Sequence, residues 1–333
     1  MENNSEETLL KSRSSRSCLR HGYRLYLSRF KQVFKASWMP ALAYGVCFSL
    51  LATLAVIFYP RLNISVHVNP QSLWYVVDDY KLIFTLAFLA VVGGGLCELW
   101  FYATGMKGAE GMPDKHKRKG LKGWTDRFDW KFTWRMIKGA VCSLLVVCAV
   151  SLVMGAAGGF IAEAVNKTGG RQLMPLKLML IPTTLLGLAL SLPVLHVFMD
   201  YLHGQRGYWP ALSHTYKMGM RHWGMLFATT LLAGIAYMVA FTIVLSPAIV
   251  LALANFQANL GLLTDDPIGM PSYIVPLTIA VMLMAGFVNA YLKLAFLFVW
   301  DFVHGSISCQ EKEREQFMQN SLPDISENNY NTK

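Results

Sequence analysis

The sequence predicts an all-α, polytopic membrane protein with six transmembrane helices. Apolar residues make up 54% of its 333 residues and charged residues only 15%, and its mean hydropathy is +0.37. A soluble domain usually carries roughly 25% charged residues, so this chain is short of the polar surface that water requires. Its charges are clustered between long uncharged runs. That pattern is typical of helical membrane proteins, in which each helix satisfies its own backbone polar groups.

Six segments have the length that a transmembrane helix needs, about 20 mostly apolar residues. Several are longer than a bilayer requires, so we expect them to tilt, bend or extend past the hydrocarbon. The predicted spans are 38–59, 82–104, 136–164, 174–202, 223–255 and 272–303.

Lysine and arginine residues are concentrated on one predicted side of the membrane. Eight precede the first span and ten lie in the connection 105–138, whereas the connection 255–272 has none. The positive-inside rule therefore predicts that both termini lie in the cytoplasm. The expected location is the inner membrane. The same bias explains the net charge of +10, and no nucleic-acid-binding motif accompanies that charge. We expect anionic lipid headgroups as partners, and no nucleic acid.

The chain reads as three copies of one sequence unit. The segments FMDYLHGQRG at 198–207 and VWDFVHGSIS at 299–308 share an Asp-aromatic-aliphatic-His-Gly pattern. Gly105, Gly204 and Gly305 are spaced 99 and 101 residues apart, and a basic amphipathic segment precedes each odd-numbered span. Each unit is predicted to contain an amphipathic helix in the inner headgroup layer and a two-span hairpin. The alternative is that the amphipathic segment extends the span helix itself.

The domain boundaries follow from these units. The expected order is a disordered basic leader, a six-span membrane domain and a mostly disordered cytoplasmic tail that extends the last helix only briefly. The boundaries are 1–15 for the leader, 16–113, 120–207 and 208–305 for the repeat units, and 306–333 for the tail.

The Asp-His-Gly motif is interpreted as an architectural clamp that joins a span to an amphipathic helix. Glycine just past a helix favours the left-handed conformation that ends it, and histidine suits a helix C-terminus. An aspartate in the last turn opposes the helix dipole, so a cation is expected beside it. The predicted clamp residues are Asp200, His203, Gly204, Asp301, His304 and Gly305, with Arg24, Lys131 or Lys217 as the cation.

A divalent metal site is the alternative for the same motif. The i, i+3 spacing presents each aspartate and histidine on one helix face, and two such faces could supply two carboxylates and two imidazoles. The first unit lacks the motif, because it has Phe101 and Thr104 at these positions. The clamp is preferred, and no metal or other cofactor is expected.

Ionisable residues inside the predicted spans form the candidate binding site. Glu98 and Lys293 are the natural pair, and Asn289 lies one turn from Lys293. Charges at such positions usually face a partner or a cavity. Alternatively, each could reach the inner interface separately, since lysine has a long apolar stem. His196 on the fourth span is interpreted as a packing residue with satisfied hydrogen bonds.

The sequence contains none of the common catalytic motifs, such as GxSxG, HExxH or a phosphate-binding GxxxxGKS, so no enzymatic activity is expected. The segment HGQRGYWPALSHTYKMGMRHWGMLF at 203–227 resembles the linkers of bacterial multi-span proteins related to the membrane domain of glycerophosphoryl diester phosphodiesterases. This resemblance covers most of 17–305 and implies a membrane module. It argues against the phosphodiesterase reaction, because that activity lies in a separate soluble barrel for which this chain has no room.

Two classes of function fit these observations. The first is a non-enzymatic integral membrane protein that acts as a scaffold or lipid-engaged module. The second is a transporter or channel component with an intramembrane polar site around Glu98 and Lys293. A substrate cavity open to one side favours the second class, and a fully packed helical structure favours the first.

Overall fold

The structure is a computed structural model that describes residues 11–68, 81–110, 129–168, 174–204, 206–263, 271 and 273–321. Every regular element within these ranges is helical. The first ten residues, the central parts of the three predicted outer loops, the basic connection 111–128 and residues 322–333 lie outside the described residues. The seven helices are α1 (Ser15–Val68), α2 (Lys81–Glu110), α3 (Trp130–Thr168), α4 (Met174–His203), α5 (Tyr208–Arg221), α6 (Trp223–Leu263) and α7 (Ile274–Ser321).

Six of these helices are long and apolar enough to cross a membrane, which confirms the expected number. The exception is α5, which has 14 residues. The candidate spans are Ser15–Val56, Lys81–Ala109, Trp130–Ile161, Ile181–His203, Trp223–Ala258 and Ile274–Gln319.

The amphipathic segment before the first predicted span is not a separate helix. It belongs to α1, which continues without interruption for 54 residues. Val33, Ser37, Ala41 and Tyr44 are all buried and follow one another at helical spacing. Because this buried stripe continues across the predicted junction at residue 38, packing favours one helix there. α1 therefore corresponds to the alternative in which the amphipathic segment extends the helix of the first span. The segment before the third span is likewise part of α3.

The amphipathic segment before the fifth span does form a separate helix, α5. Its buried residues Tyr208, Ala211, Thr215 and Gly219 recur at intervals of three and four, so one face is covered. The helix ends at Arg221, and the backbone N–H of the following residue, His222, donates to the carbonyl of Met218 at 3.2 Å.

Of the three glycines that recur at this spacing, Gly105 and Gly305 do not end helices. Gly305 is buried within α7, which continues for 16 more residues to Ser321. Gly105 lies within α2, and a Cβ added there would come within 2.6 Å of the Leu294 side chain. At Gly105 the missing side chain therefore allows a close approach between helices, and it does not terminate one.

Gly204 does end a helix, but not through the expected conformation. α4 stops at His203, and the backbone N–H of Gly204 donates to the carbonyl oxygen of Asp200 at 2.7 Å. The φ angle of Gly204 lies outside the left-handed region, and an added Cβ would lie 2.8 Å from the same oxygen. Glycine is needed at position 204 because the carbonyl oxygen of Asp200 lies too close to leave room for a side chain.

The chain divides into two compact units, each assembled from separated segments. Unit 1 comprises Met1–Leu25, Lys138–Ala233 and Leu297–Lys333, and unit 2 comprises Tyr26–Ile137 and Gly234–Phe296. The three-copy repeat and its boundaries stay a prediction.

Aromatic packing around Tyr291 is prominent in unit 2. The Tyr291 ring stacks on Phe34 with centroids 5.5 Å apart and meets the edge of buried Phe101 at 5.2 Å. The hydroxyl of Tyr26 donates to the backbone carbonyl of Tyr291 at 3.0 Å. These contacts pack α1 and α2 against the middle of α7.

In unit 1, the leader and the C-terminal part of α7 contact each other. The backbone N–H of Arg13 donates to the Ser306 hydroxyl at 2.9 Å, and the Arg13 guanidinium lies 5.3 Å from the centre of the Phe302 ring. Arg13, near the end of the leader, therefore packs against α7, whereas the disorder expected for 1–15 stays a prediction because residues 1–10 lie outside the described residues.

Candidate functional site

The Glu98–Lys293 network is a group of hydrogen-bonded side chains in unit 2. The ammonium of Lys293 donates to Glu98 Oε1 at 2.9 Å and to the Tyr44 hydroxyl at 3.1 Å. The hydroxyl of Tyr102 donates to the same carboxylate oxygen of Glu98. The sequence-predicted pair is thus brought into contact, and its two charges compensate each other. The network comprises Tyr44, Glu98, Tyr102, Tyr237, Asn289 and Lys293.

Asn289 connects the ion pair to α6. Its side-chain N–H donates to the Tyr44 hydroxyl at 3.3 Å, and its side-chain oxygen accepts from the Tyr237 hydroxyl at 2.8 Å. Only 2% of Asn289 is exposed. A buried amide is costly unless it is hydrogen-bonded, so these two bonds explain why it is tolerated here.

The ion pair itself is not fully enclosed. The side chains of Lys293 and Glu98 are 30% and 23% exposed in the chain alone. A half-buried ion pair contributes little net stability, but removal of one partner leaves an uncompensated charge and is costly. The network therefore favours a single arrangement of α1, α2, α6 and α7 in unit 2.

Sequence reasoning identified Glu98, Lys293 and Asn289 but missed the three tyrosines. Tyr102 could have been found, because it lies four residues after Glu98 and shares its helix face. Tyr44 and Tyr237 are separated from the other members by more than fifty residues each, so only the packed fold identifies them.

The histidine cluster, formed by His196, His203, His304 and Asp301, lies in unit 1. Nδ1 of His304 lies 3.3 Å from Nδ1 of His196, and the two rings are 4.8 Å apart. The ring of His203 stacks on that of His304 at 5.8 Å. Nε2 of His203 lies 3.2 Å from Oδ1 of Asp301. Two imidazoles of α4, two turns apart, are thus neighbours of a third on α7 that lies about a hundred residues further along the chain.

His196 differs from its interpretation as a satisfied packing residue. Its side chain is fully buried, and Nε2 has no hydrogen-bond partner within the part of the chain that the structure describes. An unpaired buried polar atom costs about 1–3 kcal/mol. The sequence contains no signal for this, because the environment of a lone histidine on an apolar helix depends on its neighbours.

The two motif aspartates have different partners. Oδ2 of Asp200 accepts from the Thr215 hydroxyl of α5 at 2.6 Å, so a donor on the amphipathic helix contacts the end of α4. Asp301 contacts His203, at the end of α4. The predicted cations of the clamp are Arg24, Lys131 and Lys217. A cation as the clamp partner stays a prediction.

The motif residues do not form a recognisable metal site. Within the described ranges, no group of three or more His, Cys, Asp or Glu side chains is placed to hold a metal ion. The alternative of two carboxylates and two imidazoles around one cation therefore finds no support in this arrangement.

A third polar cluster, the Glu311 cluster, holds the extension of α7 in unit 1. The buried carboxylate of Glu311 accepts two bonds from Arg221 Nη1 at 2.9 and 3.1 Å, and it lies 2.9 Å from Nε2 of His222. Arg314 is 3.9 Å away. Glu311 lies in a run of charged residues that predicts a solvent-exposed tail. Its burial therefore depends on contacts with residues that are distant in the sequence.

α5 is attached to unit 1 by tyrosine hydroxyls. Tyr208 and Ser143 are hydrogen-bonded at 2.8 Å, and Tyr216 donates to the carbonyl of Leu190 at 2.9 Å. Burial raises the pKa of both tyrosines, so their hydroxyls stay protonated and neutral at physiological pH.

Comparison with protein-family models, with curated proteins and with solved structures gives no match for this chain.

Proposed function

We propose that this chain is a multi-pass integral membrane protein whose six long helices span a lipid bilayer. The observation that carries the proposal is the exposure of their apolar faces. None of the most apolar 18 residues of α3 is buried, and Leu152 and Phe160 in that helix are each 74% exposed. Soluble proteins rarely expose apolar patches larger than a few hundred Å². Lipid is the environment in which such a surface is stable.

The proposed location is the inner membrane, and the distribution of cations supports an orientation with both termini in the cytoplasm. Cysteine labelling in intact cells tests this topology. In a variant without the six native cysteines, Asp265→Cys should react with a membrane-impermeant reagent and Lys117→Cys should not. Labelling of both positions, or of Lys117→Cys alone, contradicts the orientation.

Within the membrane, the proposed role is that of a non-enzymatic scaffold or lipid-engaged module. Two observations support it. The charges of the Glu98–Lys293 network are compensated within the protein. In addition, exposed cations occur along the first part of α1, where anionic headgroups can bind them. These cations are Arg20, Arg24, Lys31 and Lys35.

Lipid engagement can be measured as a difference in unfolding temperature between nanodiscs of anionic and zwitterionic lipid. The wild type should be more stable in anionic lipid. Replacement of the four exposed α1 cations by glutamine should remove most of that difference, and high salt should weaken it by screening. If the difference in unfolding temperature between the two lipids is the same in the wild type and the variant, headgroup binding by these residues is contradicted.

A transporter or channel component is the second candidate, favoured by the partial exposure of Lys293 and Glu98. A site that admits a hydrophilic substrate must also admit water. In reconstituted protein, Asn289→Cys should react with a small water-soluble thiol reagent if the transporter proposal is correct. If the protein is a packed scaffold, Asn289→Cys should be protected from the reagent. Ala290→Cys, at the next position, is the control that should be protected in either case, because Ala290 is fully buried.

A further inference from the structure

The extension of α7, residues 306–321, presents an aromatic side chain to solvent. A run of charged residues at 311–315 precedes it, so this part of the helix lies past the apolar span. Phe317 is 74% exposed and the adjacent Met318 is 51% exposed. A single exposed apolar side chain is common on protein surfaces, so what covers it must be argued from its surroundings. The surroundings of Phe317 include the leader.

The leader and the start of α1 run antiparallel to α7 in unit 1. The Cys18 thiol donates to the backbone carbonyl of Phe302 at 3.8 Å. Arg13, five residues earlier, exchanges two hydrogen bonds with Ser306, at 2.9 and 3.1 Å. One turn further along α7, the side-chain N–H of Gln310 donates to the carbonyl of Arg13 at 3.5 Å. A chain that continues on this course passes from Arg13 toward the end of α7.

Phe317 lies on the face of α7 that the leader already contacts. It follows Ser306 by eleven residues and Gln310 by seven, and both spacings return to within about 20° of the same side of a helix. From Gln310 to Phe317 the helix rises about 10 Å. The leader contains the apolar pair Leu9–Leu10, which begins four residues before Arg13 and lies outside the described residues. Four extended residues span about 13 Å, so the pair can reach Phe317.

The charges of the two segments follow a matching order. Glu313 is exposed and lies one turn after Gln310, on the way to Phe317. Lys11 is exposed and lies two residues before Arg13. Antiparallel continuation places the Lys11 ammonium on the side of the Glu313 carboxylate, before the apolar residues meet. An exposed pair of charges contributes little affinity, so the order mainly favours this register.

We propose that the Leu9–Leu10 pair docks on Phe317 and joins the leader to the α7 extension. Removal of apolar surface from water drives this contact. The interaction goes beyond the proposed scaffold role, because it is equally compatible with a transporter. It is incompatible with disorder of the whole leader, and one measurement decides between the two.

The other possible occupants of this surface are lipid, a second copy of the chain and the tail 322–333. The leader is favoured because its hydrogen bonds to Ser306 and Gln310 already hold it within about two turns of Phe317. A segment that is tethered this close has a high effective concentration at the surface, and closure of such a short loop costs little entropy.

Distance measurement by pulsed electron paramagnetic resonance tests the docking in full-length protein in lipid nanodiscs. In a variant that retains only the fully buried native Cys18, spin labels are attached at Thr8→Cys and Gln316→Cys, which leave the three docking side chains in place. A docked leader should give a narrow distribution of short distances. A broad distribution overturns the proposal. A short distance that disappears on dilution with unlabelled protein also overturns it, because the occupant is then a second copy.

Matched variants test whether the apolar contact holds the leader. Phe317→Gln should lower the ratio of docked to undocked chains at least about fivefold, because the surface that the leucines cover is lost. The double variant Leu9→Gln/Leu10→Gln should lower it to a similar extent. Glu315→Gln, at an exposed position on the opposite side of the same helix, is the control that should change the ratio less than about twofold. A ratio that is unchanged in Phe317→Gln overturns the proposal, since another contact then holds the leader.

Discussion

The Glu98–Lys293 network and the histidine cluster are both polar groups on long apolar helices, but they differ in how well their atoms are paired. In the network, the cation faces the anion and the buried amide of Asn289 has both a donor and an acceptor as partners. In the cluster, the most buried member, His196, retains a nitrogen without a partner among the described residues. A fully paired network stabilises one structure, whereas an unpaired atom leaves capacity for a ligand.

The largest expected effect follows from breaking the ion pair of the network. Lys293→Met should lower the free energy of unfolding by about 3 kcal/mol, because Glu98 keeps its charge without a partner. Unfolding in nanodiscs of zwitterionic lipid, where Lys35 has no anionic headgroup to bind, measures this, with the exposed Lys35→Met as the control. The double variant Glu98→Gln/Lys293→Met should recover more than half of the loss. If Lys293→Met is as mild as Lys35→Met, the network is not a stabilising element.

A smaller loss is expected when the buried amide is removed. Asn289→Leu should cost about 2 kcal/mol, since the Tyr237 hydroxyl loses its acceptor and the Tyr44 hydroxyl loses a donor. Thermal unfolding of Asn289→Leu beside Met284→Leu, an exposed position on the same helix, separates this effect from a change in apolar surface. Equal stability of the two variants is the result that contradicts a paired network.

The contact between Asp301 and His203 should contribute less, because His203 is partly exposed to solvent. Asp301→Asn is expected to lower the free energy of unfolding by about 1 kcal/mol. The double variant with His203→Asn should lose less than the sum of the two single variants, because both remove the same contact. Strict additivity would show that the two side chains stabilise the fold independently.

The smallest effect is expected where a polar atom is already unpaired. His196→Leu should change the free energy of unfolding by no more than about 0.5 kcal/mol, because the loss of one hydrogen bond is offset by removal of an unpaired buried nitrogen. This substitution and Asn289→Leu both replace a buried polar side chain with leucine. A loss in His196→Leu that equals or exceeds that of Asn289→Leu removes the proposed difference between the two clusters.

The candidate site was partly predictable because some of its members share a helix face. Glu98 and Lys293 were identified because charges are rare in apolar runs, and Asn289 precedes Lys293 by one turn. Glu311 illustrates the opposite case. It lies among charged residues in a segment expected to be mostly disordered, yet it is buried against Arg221 and His222. Local composition carries no information about a partner that lies about ninety residues away.

The sequence by itself determined the helical class and the number of long apolar helices, because the length and composition of a segment are local properties. Only the tertiary structure decided where helices continue or end. α1 runs through its predicted junction because a buried stripe continues across it, and α7 passes Gly305 because the following residues are packed. Glycine permits a helix to end but does not require it. Whether it ends depends on contacts between residues that are distant in the chain, and these also decide which polar side chains meet.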